Sequence, residues 1–220
     1  AGTDDRYEVR VRNHVGERKS EALTVLTLPA QPDEIKVEPV SHDSSHADVS
    51  FRGVQSAQRY EIVAKVAETQ EVAFSDTVTA AGTYKLNNLK PGKPYSVSVT
   101  AVNLTGSSEA ATVAFLSLPA APGEFNSVQI RSDSVTLGWE AVLTSSGYDL
   151  GKGIQNVQSI YSGDELTYTD QGLESSTLYD YQIAAKNESG FGDIAYLSDV
   201  LTLPAAVELT VQDVTSDSAT

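Results

Sequence analysis

From Tyr95 to Ala110 the chain reads YSVSVTAVNLTGSSEA, and from Tyr179 to Ile194 it reads YDYQIAAKNESGFGDI. Each stretch opens on tyrosine, alternates apolar with other residues, and closes on Asn and Gly. Leu89, Pro91, Tyr95, Val97, Val99, Ala101, Asn103 and Gly106 each stand 84 positions before Leu173, Ser175, Tyr179, Tyr181, Ile183, Ala185, Asn187 and Gly190. A third copy begins the chain: in YEVRVRNHVGER, the residues Tyr7, Val9, Val11, Asn13 and Gly16 stand 90 positions before Val97, Val99, Ala101, Asn103 and Gly106. One segment is thus written three times, and a fixed period of this length marks a chain of repeated structural units.

The segment is a strand. A period of two sends Val97, Val99 and Ala101 to one face and Ser96, Ser98 and Thr100 to the other, so one face is core and the other wet. Punctuation repeats with it: LTLPA at Leu26–Ala30, LSLPA at Leu116–Ala120 and LTLPA at Leu201–Ala205. After each boundary an extended segment leads into an alternating run, HADVSFRG in one unit and SDSVTLGWE in the next, and SDSAT at the end restarts it. Val, Thr and Tyr are abundant, turn residues recur about every eight to twelve positions, and no stretch keeps a helical period. About seven such segments per unit predict an all-β fold of two-sheet antiparallel sandwiches.

LKPGKPYSVSVTAVNLTG and LESSTLYDYQIAAKNESG resemble the strand F pattern of the fibronectin type III domain, with Trp139 near the end of strand B. The resemblance covers essentially the whole chain and implies tandem immunoglobulin-like sandwiches. It implies that Tyr95 and Tyr179 are structural tyrosine corners and that Trp139 is core. Two departures stand out: Gly53 or Val54 falls where the first complete unit should carry its Trp, and Asp5 takes the corner position of the first copy. The implied domains are 1–28, the last two strands of one domain; 29–118 and 119–203, two complete domains; and 204–220, the start of a further one. Adding the tail of one chain to the head of another would still leave the middle strands missing, which argues against donor-strand assembly.

With 40% hydrophobic residues the 220-residue chain can build cores, and its formal charge of −15 would repel phosphate backbones and anionic lipid. Nucleic acid and membrane insertion are therefore not expected. The absence of Cys removes disulfides, thiolate metal sites and a Cys nucleophile, while the absence of Met suggests a processed or partial piece of a longer protein.

Little in the sequence points to chemistry. HDSSHAD places His42 and His46 four apart in an expected polar loop, and GKG at Gly151–Gly153 reads as a turn. Asp4/Asp5 and Asp164/Glu165 read as solvated loops or edge protection. With no phosphate loop, dinucleotide fingerprint or calcium loop, the expectation is no catalytic residue, no metal and no cofactor, hence no enzyme in this segment.

The residues singled out for contacts are few. Asn103 and Asn187 each begin an N-glycosylation sequon, at the place where the family pattern puts Asn anyway. Phe191, between two glycines, is a candidate partner anchor or a packing residue against the neighbouring domain. Arg6, Arg10 and Arg12 form a basic stripe opposite Tyr7, Val9 and Val11. LPAQP and LPAAP, with two prolines each, predict stiff connectors. The expected role is a structural or adhesive segment of an extracellular or cell-surface tandem-repeat protein, part of a fibre, sheath or appendage. Its partners would be copies of itself or other extracellular proteins, with glycans on the sequons. The alternatives are a receptor-type ectodomain and a spacer in a secreted polysaccharide-degrading enzyme.

Overall fold

A computed structural model describes residues 3–208, so the domain start expected at 204–220 lies largely outside the described residues. The described residues contain strands and no helix. They divide into two compact units. The first runs to Ala120 and includes the segments Val142–Ser146 and Ala185–Asp193; the second holds Ala121–Ala141, Gly147–Ala184 and the chain from Ile194.

The first unit opens with β1 (Asp4–Tyr7), β2 (Arg10–Arg12), β3 (Glu17–Lys19) and β4 (Leu23–Leu26), paired β1 with β4 and β2 with β3. Seven strands follow: β5 (Asp33–Val40), β6 (Asp43–Arg52), β7 (Arg59–Val66), β8 (Val72–Val78), β9 (Thr83–Leu86), β10 (Pro94–Val102) and β11 (Ala111–Leu116). They form a three-stranded sheet, β5-β6-β9, and a four-stranded sheet, β11-β10-β7-β8. Alternation decides which side chains face inward. Ala47, Val49 and Phe51 from one sheet and Tyr60, Ile62, Ala64, Val97 and Val99 from the other share a single buried core. Each such aliphatic side chain contributes about 1.5–3 kcal/mol by leaving water.

The seven remaining strands repeat this plan. They are β12 (Asn126–Ile130), β13 (Ser134–Gly138), β14 (Gly147–Lys152), β15 (Gln158–Gly163), β16 (Thr167–Gln171), β17 (Leu178–Asn187) and β18 (Gly190–Leu201). The sheets are β12-β13-β16 and β15-β14-β17-β18. Gly151 and Lys152, read as a turn from sequence, instead close strand β14.

Register carries the repeat further than sequence spacing. In the first strand pair, Asp4, Asp5, Arg6 and Tyr7 oppose Leu26, Val25, Thr24 and Leu23. Ninety positions on, Pro94, Tyr95, Ser96 and Val97 oppose Leu116, Phe115, Ala114 and Val113. The ladders coincide residue for residue. Yet Val97 and Val99 are fully buried, whereas Tyr7 and Val9 are 58% and 64% exposed.

Register also corrects the expected place of the missing tryptophan. Val49 opposes Tyr84 and Leu137 opposes Tyr168, so Phe51, two residues on, is the counterpart of Trp139, and Gly53 and Val54 are not. Phe51 packs on Tyr60 at 4.9 Å between ring centroids, and Trp139 on Tyr148 at 5.8 Å. The same mapping places Ala64, Leu86 and Val97 opposite a different chemistry in the second repeat: Lys152, Asp170 and Tyr181. There the Lys152 Nζ lies 3.1 Å from Asp170 Oδ2, and the Tyr181 hydroxyl donates to that oxygen at 3.1 Å.

Candidate functional site

The residues nominated as corners share a hydrogen bond and differ in burial, Tyr95 being buried and Tyr179 half-buried. The backbone N–H of Lys90 donates to the Tyr95 phenol at 2.7 Å, and that of Glu174 to the Tyr179 phenol at 2.9 Å, each across five residues. Trp139 is 6% exposed, ringed by Phe125, Tyr148 and Tyr161, and its indole N–H has no hydrogen-bond partner.

The histidines lie differently from expectation. The polar loop predicted for HDSSHAD is the opening of β6, preceded by His42 at a positive φ of 58°. His46 Nδ1 sits 2.7 Å from Asp43 Oδ2, with the Ser45 hydroxyl 2.9 Å from the same nitrogen. The Asp43 carboxyl is partly desolvated, and hydrogen bonds from His46 and Ser45 nevertheless hold it below the usual carboxylate value. Serine, histidine and aspartate thus converge on one nitrogen, which is a turn-capping arrangement; nucleophilic catalysis needs the serine and the carboxylate on opposite imidazole nitrogens. Among the described residues no group of three metal-ligating side chains is gathered.

The nominated contact residues separate. Phe191 is 38% exposed; its ring stacks on His42 at 6.4 Å, and Lys186 Nζ lies 5.9 Å from its centroid. His42 Nδ1 donates to the Gly192 carbonyl at 3.0 Å, and Ser44 donates through both N–H and hydroxyl to the Asp193 carboxylate. In the basic stripe Arg10 is paired with Glu8 at 3.0 Å, and Lys19 approaches the same carboxylate at 3.6 Å, while Arg6 and Arg12 are exposed.

The feature that recurs is the Asn-x-x-Gly turn that closes each copy of the motif. Asn103 Oδ1 accepts from the N–H groups of Thr105 and Gly106, and Asn103 N–H donates to the Gly106 carbonyl. The outward half of the amide then reaches the end of the preceding repeat. Asn103 Nδ2 donates to the Thr27 carbonyl at 2.9 Å, and the Thr105 hydroxyl to the Leu26 carbonyl at 2.7 Å. In the next repeat Asn187 Oδ1 accepts from Ser189 N–H, and Asn187 Nδ2 donates to the Ser117 carbonyl at 2.8 Å. Ser117 stands 90 positions after Thr27. All these contacts lie within the first compact unit.

The turn glycines complete the fit. Gly106 and Gly190 adopt φ of 150° and 136°, conformations that L side chains avoid. A Cβ on Gly106 would stand 2.9 Å from Leu28, and one on Gly190 3.4 Å from Leu118, so each glycine clears room for the leucine that follows the bonded carbonyl. Both asparagines are buried, at 5% and 8% exposure. Each Nδ2, to which an N-linked sugar would be joined, spends one of its two hydrogens on these bonds.

The fibronectin type III domain model matches residues 30–115. Exoglucanase B of Cellulomonas fimi is 27% identical over 86% of this chain and 19% of its own length. Fibronectin type III domain-containing protein 7 of Homo sapiens is 25% identical over 85% and 25%. Chitinase C of Streptomyces lividans is 28% identical over 49% and 17%. The chain thus spans a quarter or less of these relatives. It carries a fibronectin type III domain over residues 30–115, and its second repeat has the same three-plus-four strand order.

Proposed function

We propose that this segment is a non-catalytic, semi-rigid spacer in an extracellular or cell-surface tandem-repeat protein, its joints held by the asparagine turns. One observation carries the reading: the same side-chain amide takes the same backbone carbonyl of the preceding repeat at Asn103 and at Asn187. A buried hydrogen bond of this kind contributes about 1 kcal/mol, and the carbonyl left unpaired on its removal costs about 1–3 kcal/mol. The two-proline connectors add to the stiffness by fixing the backbone. Lateral contacts, where the array meets copies of itself or other proteins, fall to the exposed Arg6 and Arg12 and to the open edge of Phe191.

The test is backbone ¹⁵N relaxation on the intact chain. The two complete repeats should tumble together, and Asn187→Ala should give them separate correlation times without altering either fold. Independent tumbling in the parent chain refutes the joint.

A second reading, a spacer within a polysaccharide-degrading enzyme, is favoured by the similarity to an exoglucanase and a chitinase. Activity of the full parent protein on glucan or chitin, lost when its other modules are removed, supports it. An inactive parent excludes it.

A further inference from the structure

The two complete repeats are built to one register, and that makes their strands interchangeable in outline. On β6, Ala47, Val49 and Ser50 oppose Leu86, Tyr84 and Thr83 of β9; on β13, Val135, Leu137 and Gly138 oppose Asp170, Tyr168 and Thr167 of β16. Laid on β6 in place of β9, β16 would keep the antiparallel ladder and bring Tyr168 opposite Val49, where Tyr84 stands in the native sheet. Two like folds tethered in one chain meet at high effective concentration, the condition under which neighbouring domains misassemble.

Chemistry separates them where shape does not. Leu86, Ala64 and Val97 lie in the apolar core of the first complete repeat. At the matching positions of the second stand Asp170, Lys152 and Tyr181, Asp170 from the three-stranded sheet and the other two from the four-stranded sheet. Lys152 Nζ and the Tyr181 hydroxyl both reach Asp170 Oδ2. Each sheet therefore holds part of a set that only the other sheet of the same repeat completes. With β16 laid in the first core, the Asp170 carboxylate would meet Ala64 and Val97 in place of lysine and phenol. With β9 in the second core, Leu86 would leave the Lys152 ammonium without its carboxylate and the buried Tyr181 hydroxyl without its acceptor. A complete buried pair adds little over apolar residues, whereas one partner left alone is strongly unfavourable. The set is thus close to neutral in the native repeat and acts against the exchanged ones.

We infer that Lys152, Asp170 and Tyr181 keep the strands of the second repeat from assembling with those of the first as the chain folds. A set that spans both sheets can do this. A set within one sheet cannot, because a sheet moving as a whole would carry it along.

The experiment is oxidative refolding of the intact chain from urea at high dilution, with cysteine pairs placed in a protein that has none. Ser50 and Thr167 oppose Thr83 and Gly138 in the native ladders, and they oppose each other when β16 is laid on β6. Ser50→Cys with Thr167→Cys should form an internal disulfide no more often than a control pair, Ser50→Cys with Tyr196→Cys, the latter at an exposed position of β18. Adding Lys152→Ala, Asp170→Leu and Tyr181→Val should raise trapping at the first pair severalfold and leave the control unchanged. Asp170→Asn, which keeps the side chain's shape and an acceptor for Tyr181, should raise it too. Protein oxidised without prior unfolding should stay at the control level throughout. Trapping that stays at the parent level in the triple variant, or in Asp170→Asn where the triple variant does not fold, overturns the inference. A rise in protein never unfolded also overturns it, because the native repeat has then loosened. The spacer reading is independent of these outcomes and is tested by Asn187→Ala.

Discussion

Replacing Lys152, Asp170 and Tyr181 together by Ala, Leu and Val, the residues at the matching positions of the first repeat, should leave the second repeat as stable as before or more so. Removing Asp170 alone should damage it. The carboxylate side chain of Asp170 is 7% exposed and the Lys152 side chain 27%, so the pair is largely withdrawn from water. Desolvation of two charges offsets most of their attraction, and replacing a buried pair by packed apolar residues is typically neutral or stabilising by about 1–4 kcal/mol. Breaking such a pair from one side costs about 3–5 kcal/mol. Because Lys152 can recover part of its hydration, Asp170→Leu is expected to lose about 2–3 kcal/mol, just below that range. Trp139 is the only tryptophan and sits in this repeat, so urea unfolding followed by its fluorescence reads this core. With a slope of about 1–3 kcal/mol/M, the single variant should lower the midpoint by roughly 1–2 M. The triple variant should match or exceed the parent. A triple variant as unstable as the single one refutes the argument, because the ionic cluster would then be a net source of stability.

Alkaline pH probes the same cluster: burial first, then the Asp170 charge and its hydrogen bond, raise the Tyr181 phenol above its usual 10.0. The protonated form is favoured by folding, so that stability is complete below about pH 10 and falls as pH rises further; Tyr181→Phe should flatten this limb, and an unchanged limb contradicts the assignment. Trp139→Phe reproduces Phe51 and removes a buried indole N–H without a partner, so the loss of volume should be partly offset and the net change held to about 1–2 kcal/mol in the same urea assay. A larger loss would show that the indole N–H is satisfied in solution. Gly192→Ala would place a Cβ 1.9 Å from the Pro119 carbonyl oxygen, so the His42 bond to the Gly192 carbonyl should break, seen as loss of protection at neighbouring amides in hydrogen exchange. Unchanged protection contradicts that packing.

Strand spacing made the sandwiches legible, because the inward face of a strand is set by a period of two and the periods at Tyr95 and Tyr179 coincide. The counterpart of Trp139 in the first complete repeat was less legible, for a related reason. Counting from the Trp-bearing motif pointed to Gly53 or Val54, whereas counting along the alternation Ala47, Val49, Phe51 reaches the aromatic that shares a register with Trp139. The Lys152, Asp170 and Tyr181 cluster joins three strands across two sheets, and no local pattern announces which polar residues converge in a core. The asparagines were visible and read as sequons. Their use of a carbonyl 76 residues earlier at Asn103, and 70 earlier at Asn187, depends on tertiary contact. The matching Asn and the repeated Leu-Thr/Ser-Leu-Pro-Ala were the available signal, and pairing the two repeats with each other would have found it.

The spacer reading stands or falls on how firmly consecutive repeats are held. Spin labels placed at Val72→Cys and Val128→Cys, exposed positions in the two complete repeats of a chain without other thiols, give that distance by pulsed electron resonance. A single narrow distribution, as tight as that from two labels within one repeat, is the predicted result. A broad distribution in the parent chain would contradict it, leaving the asparagine bonds too weak to make a joint.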